Sequence, residues 1–161
     1  MPLITSRTNE RVKAIRALKD RRTRDESGTF FVEGWRVLKA AVQTGAVIEQ
    51  AVVAPDRLDN ESEDVALTLV EMRVPVLEVS GEVFDSLSFR EENQSVGAVV
   101  RQRWEPLVDD TSGRSCWVAL QDIQHPGNLG TVIRTCDAIG GDGVILAGHT
   151  TDPYSLSLIH I

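Results

Sequence analysis

Cysteine is scarce in this chain: Cys116 and Cys136 are its two cysteines among 161 residues. Two thiols set in apolar surroundings cannot make a disulfide framework or a metal cluster, and they read as buried free thiols in a reducing compartment. Histidine is as sparse, with His125, His149 and His160 at no metal-ligand spacing, so no metal is expected. No apolar run approaches the roughly 18 residues of a membrane span, and the opening Met1-Pro2-Leu3-Ile4-Thr5-Ser6-Arg7 lacks a signal-peptide core. A cytoplasmic protein without membrane contact is the expectation. Internal repeats and low-complexity tracts are missing too.

What is present is ordinary in amount and uneven in placement. The hydrophobic fraction of 42% and the charged fraction of 25% suit a globular protein. The net charge of −7 speaks against a nucleic-acid partner, but its distribution does not. Residues 1–40 carry ten Lys or Arg against five acids, whereas the remainder carries seven against nineteen. Such asymmetry points to a local polyanion-binding face on an acidic body. Read from charge alone, a solvated amphipathic helix explains it at least as well.

Periodicity divides the chain. A first helix is expected over 7–20, from Val12, Ile15 and Leu18, with Ser6, Thr8 or Asn9 as cap. Arg21 to Gly28 reads as a charged turn. A strand at Thr29–Val32, a helix through Val37 to Val42 stopped by Gly45, and a strand at Ile48–Ala54 follow. Asp59 to Asp64 reads as a polar loop before a helix, then come a strand at Val74–Val79, a short helix at Gly81–Leu87 and a strand at Gly97–Val100. This alternation predicts an α/β sandwich over residues 1–103. Residues 104–114, with Pro106, Asp109, Asp110 and Gly113, read as a linker. Beyond it, a buried strand at Cys116–Leu120, a helix with Leu129, Val132, Ile133 and Cys136 on one face, and a strand at Gly143–Ala147 predict a βαβ unit with parallel strands.

The richest segment is Gln121 to Thr135, where a strand breaks at Pro126-Gly127 and enters a helix bearing Asn128 and Arg134. In α/β folds, ligands collect at this strand-to-helix passage. Gly127 and Gly130 allow close backbone approach, and a helix start offers N–H donors. The segment lacks the Gly-x-Gly-x-x-Gly order of a dinucleotide site and the Gly-Lys-Ser/Thr of a phosphate loop. Taken plainly, Asn128 is a helix cap and Arg134 a surface charge.

The run Asp122-Ile123-Gln124-His125-Pro126-Gly127-Asn128-Leu129-Gly130-Thr131-Val132-Ile133-Arg134-Thr135-Cys136 and its continuation to Leu146 resemble the first signature motif of the SpoU-type, TrmH-like RNA ribose methyltransferases of the SPOUT superfamily. Thr151-Asp152-Pro153-Tyr154-Ser155 is similar to that family's next segment. Residues 1–103 resemble the ribosomal-protein-like substrate-binding domain of many members, carried by Phe30–Arg36 and Glu92–Gly97. The resemblance implies a SPOUT (knotted, Rossmann-like) methyltransferase domain over 115–161, S-adenosyl-L-methionine (AdoMet) as cofactor, and transfer of its methyl group to a ribose 2′-hydroxyl of ribosomal or transfer RNA. It carries the motif's Asn and Arg onto Asn128 and Arg134. Arginine stays protonated, so stabilising a developing alkoxide and positioning phosphate are its roles, with Asn128 orienting Arg134 or holding the RNA backbone. Arg21, Arg22, Arg24 and Arg36 are the candidate RNA contacts.

The family domain runs on through two later motifs that form a knot, most of the cofactor pocket and the usual homodimer interface. Here the resemblance stops after Ser155, and Leu156–Ile161 reads as a short strand or as a tail foreign to the fold. An incomplete copy, inactive alone and with no assignable cofactor residues, is the expectation. A non-catalytic RNA-binding module is the alternative, and a small-molecule α/β enzyme of another class lacks any supporting motif.

Overall fold

The computed structural model describes residues 2–88, 94–106 and 115–159. Residues 107–114 of the expected linker, and Glu92 and Asn93, lie outside that set. The chain divides into two compact units, Met1–Gln102 and Arg103–Ile161.

Unit 1 begins with helix α1 (Glu10–Ala17), where Asn9 Oδ1 accepts the Arg11 N–H at 2.9 Å and serves as the cap. The expected charged turn is instead a helix, α2 (Arg21–Ser27). Its run has no apolar period, yet Asp20 caps its start, Arg21–Asp25 and Arg22–Glu26 pair one turn apart, and Gly28 (φ 65°) closes it in the left-handed region. Strand β1 (Thr29–Glu33), helix α3 (Trp35–Gln43) and strand β2 (Ile48–Val53) follow. The expected Asp59–Asp64 loop is a second correction. Asp59 caps helix α4 (Asn60–Glu71), whose first turn carries Glu61 and Glu63, where the helix dipole favours acids. Strand β3 (Val76–Glu78), helix α5 (Gly81–Asp85) and strand β4 (Val96–Arg101) complete the unit.

The sheet order is β1-β4-β2-β3, with β4 antiparallel to both neighbours and β2 parallel to β3. Alternation along the strands supplies two apolar faces. On one, Phe31, Val52, Leu77 and Val99 pack with Val12 and Ile15 of α1, with Leu18 just after it, and with Val83 and Phe84 of α5. The buried Leu38 of α3 and Leu69 of α4 belong to the helices that contact the same sheet through β1, β4 and β2. Strand β4 is buried at five of six positions.

Unit 2 contains strand β5 (Trp117–Gln121), helix α6 (Pro126–Ala138), strand β6 (Gly143–Ala147) and helix α7 (Leu156–Ile159). β5 and β6 are parallel, with Trp117 opposite Gly143 and Gln121 opposite Ala147. Neither strand holds a fully buried residue, which corrects the expected buried strand. Two paired strands with α6 against them leave surface that a wider sheet would cover. Cys136 is buried as expected, but Cys116 is exposed. The end segment is neither a strand nor detached: α7 is a helical turn packed on α6.

Candidate functional site

The strand ends of unit 2 and the start of α6 make the candidate active site. Asp122, directly after β5, sits at φ 52°, a backbone region uncommon outside glycine. Its N–H donates to the Ala147 carbonyl at 3.0 Å and its Oδ1 accepts the His149 N–H at 2.8 Å. Gly148 (φ 73°) lies against that carboxylate so closely that a Cβ there would fall 2.3 Å from Oδ1. The Thr151 N–H reaches the Ile123 carbonyl at 2.7 Å. These bonds join the loop after β5 to the loop after β6 and fix the rim of the crevice where α/β sheets bind ligands. Sequence reasoning overlooked Asp122 as a structural residue. An acidic residue closing a strand before a Gly-rich turn was the available signal.

The residue in the N-cap position of α6 is His125, without a side-chain cap bond, and Pro126 occupies the first helical position. Asn128 therefore stands inside the first turn and does not cap it. It is exposed, and among the described residues its side chain has no hydrogen-bond partner. Arg134 is exposed as well, its Nη2 at 3.3 Å from Thr131 Oγ1, which itself donates to the Gly127 carbonyl at 2.9 Å. The guanidinium folds back over the helix: a Cβ on Gly130 would meet Arg134 Nη1 at 3.3 Å. Gly130 thus keeps open the place where the arginine lies. Six positions separate Asn128 from Arg134, about 9 Å along the axis and a third of a turn apart. Thr131, not Asn128, is the residue that holds the arginine here.

A second feature of unit 2 is a cavity of about 390 Å³ lined by Trp104, Trp117, Ile133, Leu146, Pro153 and Tyr154. The Tyr154 hydroxyl donates to the Arg103 carbonyl at 2.6 Å and accepts the Arg103 N–H at 2.8 Å. Burial pushes its phenol pKa upward. Neither Asn128 nor Arg134 lines this cavity.

The candidate RNA contacts of unit 1 lie on two different helices. Arg21 and Arg22 are exposed on α2, before β1, whereas Arg36 is exposed on α3, after it. The five residues of β1, roughly 16 Å long, come between the two helices in the chain. Arg24 is the correction. It is only 4% exposed, and its Nη1 donates to the Leu18 and Lys19 carbonyls at 2.7 and 2.8 Å, tying α2 to the end of α1. A guanidinium committed to buried carbonyls is not offered to a phosphate. Arg16 and Lys19 are likewise engaged: Arg16 Nη2 donates to Ser86 Oγ at 2.6 Å, and Lys19 Nζ to the Ser86 and Ser88 carbonyls. Burial, and then Arg16, lower the Lys19 pKa. Three of the seven basic residues from Arg11 to Arg24 are therefore structural in purpose.

With this geometry in place, comparison with known proteins gives the class. Residues 9–98 match the MRM3-like substrate binding domain and residues 115–161 the SpoU rRNA Methylase family. The chain belongs to the SpoU/SPOUT family of RNA methyltransferases. It is 28% identical over 156 residues to the 23S rRNA (guanosine(2553)-2′-O)-methyltransferase RlmP of Bacillus subtilis, covering 96% of this chain and 58% of that protein. It is 30% identical over 159 residues to the 23S rRNA (uridine(2479)-2′-O)-methyltransferase of Streptomyces viridochromogenes, covering 94% and 53%. Among solved structures, the AdoMet-bound rRNA methyltransferase of Sinorhizobium meliloti is similar with a TM-score of 0.83 and 37% identity, covering 99% of this chain and 59% of that one. The chain thus spans rather more than half the length of these relatives.

AdoMet is the family's methyl donor. The carboxylate at the strand ends, Asp122, is committed to the His149 N–H, and the unit 2 cavity is walled mainly by apolar and aromatic groups. No residue here is assigned to the donor. Among the described residues, no group of three His, Cys, Asp or Glu side chains is placed to hold a metal ion.

Proposed function

We propose that this chain supplies the RNA-holding part and the acceptor side of an AdoMet-dependent RNA ribose 2′-O-methyltransferase acting on ribosomal or transfer RNA. We assign residues 1–103 to RNA binding, 104–114 to a linker and 115–161 to the first part of the methyltransferase domain. The observation that carries the reading is the helix α6, which starts at the paired ends of β5 and β6 and presents exposed Asn128 and Arg134. A ribose hydroxyl is a weak nucleophile whose oxygen gains negative charge as it attacks the methyl carbon. A fixed guanidinium stabilises that charge or the adjoining phosphate, and Asn128 supplies amide donors and an acceptor to the RNA backbone. AdoMet supplies the electrophilic methyl when bound.

Arg21, Arg22 and Arg36 are assigned to phosphate contacts, while Arg24 is withdrawn on its burial. No helix of the described residues is long and apolar enough to cross a membrane, and a cytoplasmic location fits a reducing, RNA-rich compartment. A homodimer is the family's habit and is proposed only for the whole-length protein.

The test is a chimera in which this chain is followed by the part of the AdoMet-bound relative that it does not span. Incubated with labelled AdoMet and ribosomal or transfer RNA, it is expected to give a methylated dinucleotide that resists alkali, since a blocked 2′-oxygen cannot cleave its own phosphate. Label recovered on a base instead would refute ribose methylation. RNA binding without any transfer would favour the non-catalytic module.

A further inference from the structure

Between α3 and α4 in unit 1 lies a cavity of about 340 Å³ that neither the sheet core nor the methyl-transfer chemistry accounts for. Its wall includes the Trp35 indole and Lys39 from α3, and Glu61, Asp64 and Thr68 from α4. Glu61 and Asp64 stand three positions apart, and Thr68 four further on, so they share one face of α4. Next to this wall Arg36 is exposed, its Cζ 5.0 Å from the Trp35 ring centroid.

We infer that this cavity receives an unpaired nucleobase of the bound RNA, and guanine in preference to uracil. The inference rests on the RNA-binding reading given above and goes beyond it by naming a base pocket and its preference. Single-stranded RNA is read where bases swing out to stack on aromatic rings or guanidinium planes, with their edges hydrogen-bonded. The volume lies within the range of small-ligand pockets and suits a nucleoside. Trp35, with Arg36 on its ring, is a stacking wall, and Arg36 and Lys39 carry the charge that flanking phosphates require. The carboxylates of Glu61 and Asp64 accept hydrogen bonds and cannot donate them, so the base must bring N–H groups. Guanine offers its ring N–H and amino group side by side to one carboxylate. Uracil offers a single N–H between two carbonyls that oppose the carboxylate oxygens. A cationic side chain of a protein partner suits the cavity less well. Lys39 already places a positive charge in its wall beside Glu61 and Asp64.

The experiment is fluorescence anisotropy of labelled UUGUU and UUUUU ribonucleotides titrated with the 161-residue chain at low salt. UUGUU is expected to bind roughly tenfold more tightly, as one base-edge contact plus stacking gives. Trp35→Ala should bring UUGUU down to the affinity of UUUUU. Asp64→Asn, an exposed change that spares the fold, should remove most of the preference while leaving UUUUU unaffected. Salt-dependent binding with equal affinities would overturn the base pocket and leave RNA binding standing. Absence of salt-dependent binding to either oligomer would overturn both. Tighter binding of hexa-arginine than of UUGUU, relieved by Asp64→Asn, would assign the cavity to a protein partner instead.

Discussion

Strand β4 of unit 1 lies between β1 and β2 and is buried along five of its six residues, while β5 of unit 2 alternates between exposed and half-buried positions. Both units are built from the same alternation of strand and helix. Unit 1 closes it into a four-stranded sheet with helices packed on it, and unit 2 stops at two parallel strands. The polar residues differ accordingly. In unit 1 Arg16, Lys19 and Arg24 are spent on backbone carbonyls, whereas in unit 2 Asn128 and Arg134 remain in solvent beside a rim pinned by Asp122 and Gly148. Buried apolar packing is concentrated in the first unit, and the exposed motif residues lie in the second.

The comparison is broken most severely through the cores. Phe84→Ala, at a fully buried position of unit 1, is expected to cost about 3–5 kcal/mol, and Leu129→Ala in α6 about 2–3 kcal/mol. Urea melts followed by unit-specific amide exchange should place each loss in its own unit. A loss shared equally by both units would show that they unfold as one body. Arg24→Ala removes a buried guanidinium from two carbonyls and should cost about 1.5–3 kcal/mol, against less than about 0.5 kcal/mol for the exposed Arg22→Ala. In RNA titrations the order should reverse, with Arg22→Ala lowering the salt slope by about one and a correctly folded Arg24 variant leaving it unchanged.

A pH-dependent effect concerns Asp59, the cap of α4. Its hydrogen bonds with Ser62 hold its carboxyl below the usual range. A depressed folded value contributes stability that is complete above the unfolded value of about 4 and is lost as pH falls through the lower folded one. Asp59→Ala should therefore lower Tm by roughly 2–4 °C at pH 7. The Tm difference between the two proteins should narrow as pH falls through the lowered folded value. A difference that persists in acid would mean that packing, not the charged cap, is responsible.

The strands of unit 1 and the strand-turn-helix of unit 2 were legible from apolar periodicity, because burial on one face imposes the period directly. Where local polar bonding decides the structure, periodicity is silent: α2 and the start of α4 are held by Asp20, Asp59 and charge pairs, with little apolar pattern to announce them. The burial of Arg24 was equally invisible, since a chain of arginines looks alike until the end of α1 turns back over one of them. At the candidate site the segment was readable, but its geometry was not. Asn128 reads as a cap until Pro126 is found at the first helical position. Arg134 reads as paired with Asn128 until Thr131 is found beneath it. The positive φ of Asp122 leaves no trace in composition.

The most direct test of the division between a holding unit and a reacting unit compares Arg134 with Arg134→Ala in the chimera, measuring methyl transfer at saturating RNA beside RNA affinity. The account predicts a fall in transfer of about 100-fold or more, the scale of losing one charge-stabilising donor, with the Kd for RNA unchanged. Transfer that survives the substitution, or an RNA affinity that falls in step with it, would contradict the assignment of Arg134 to the reacting centre.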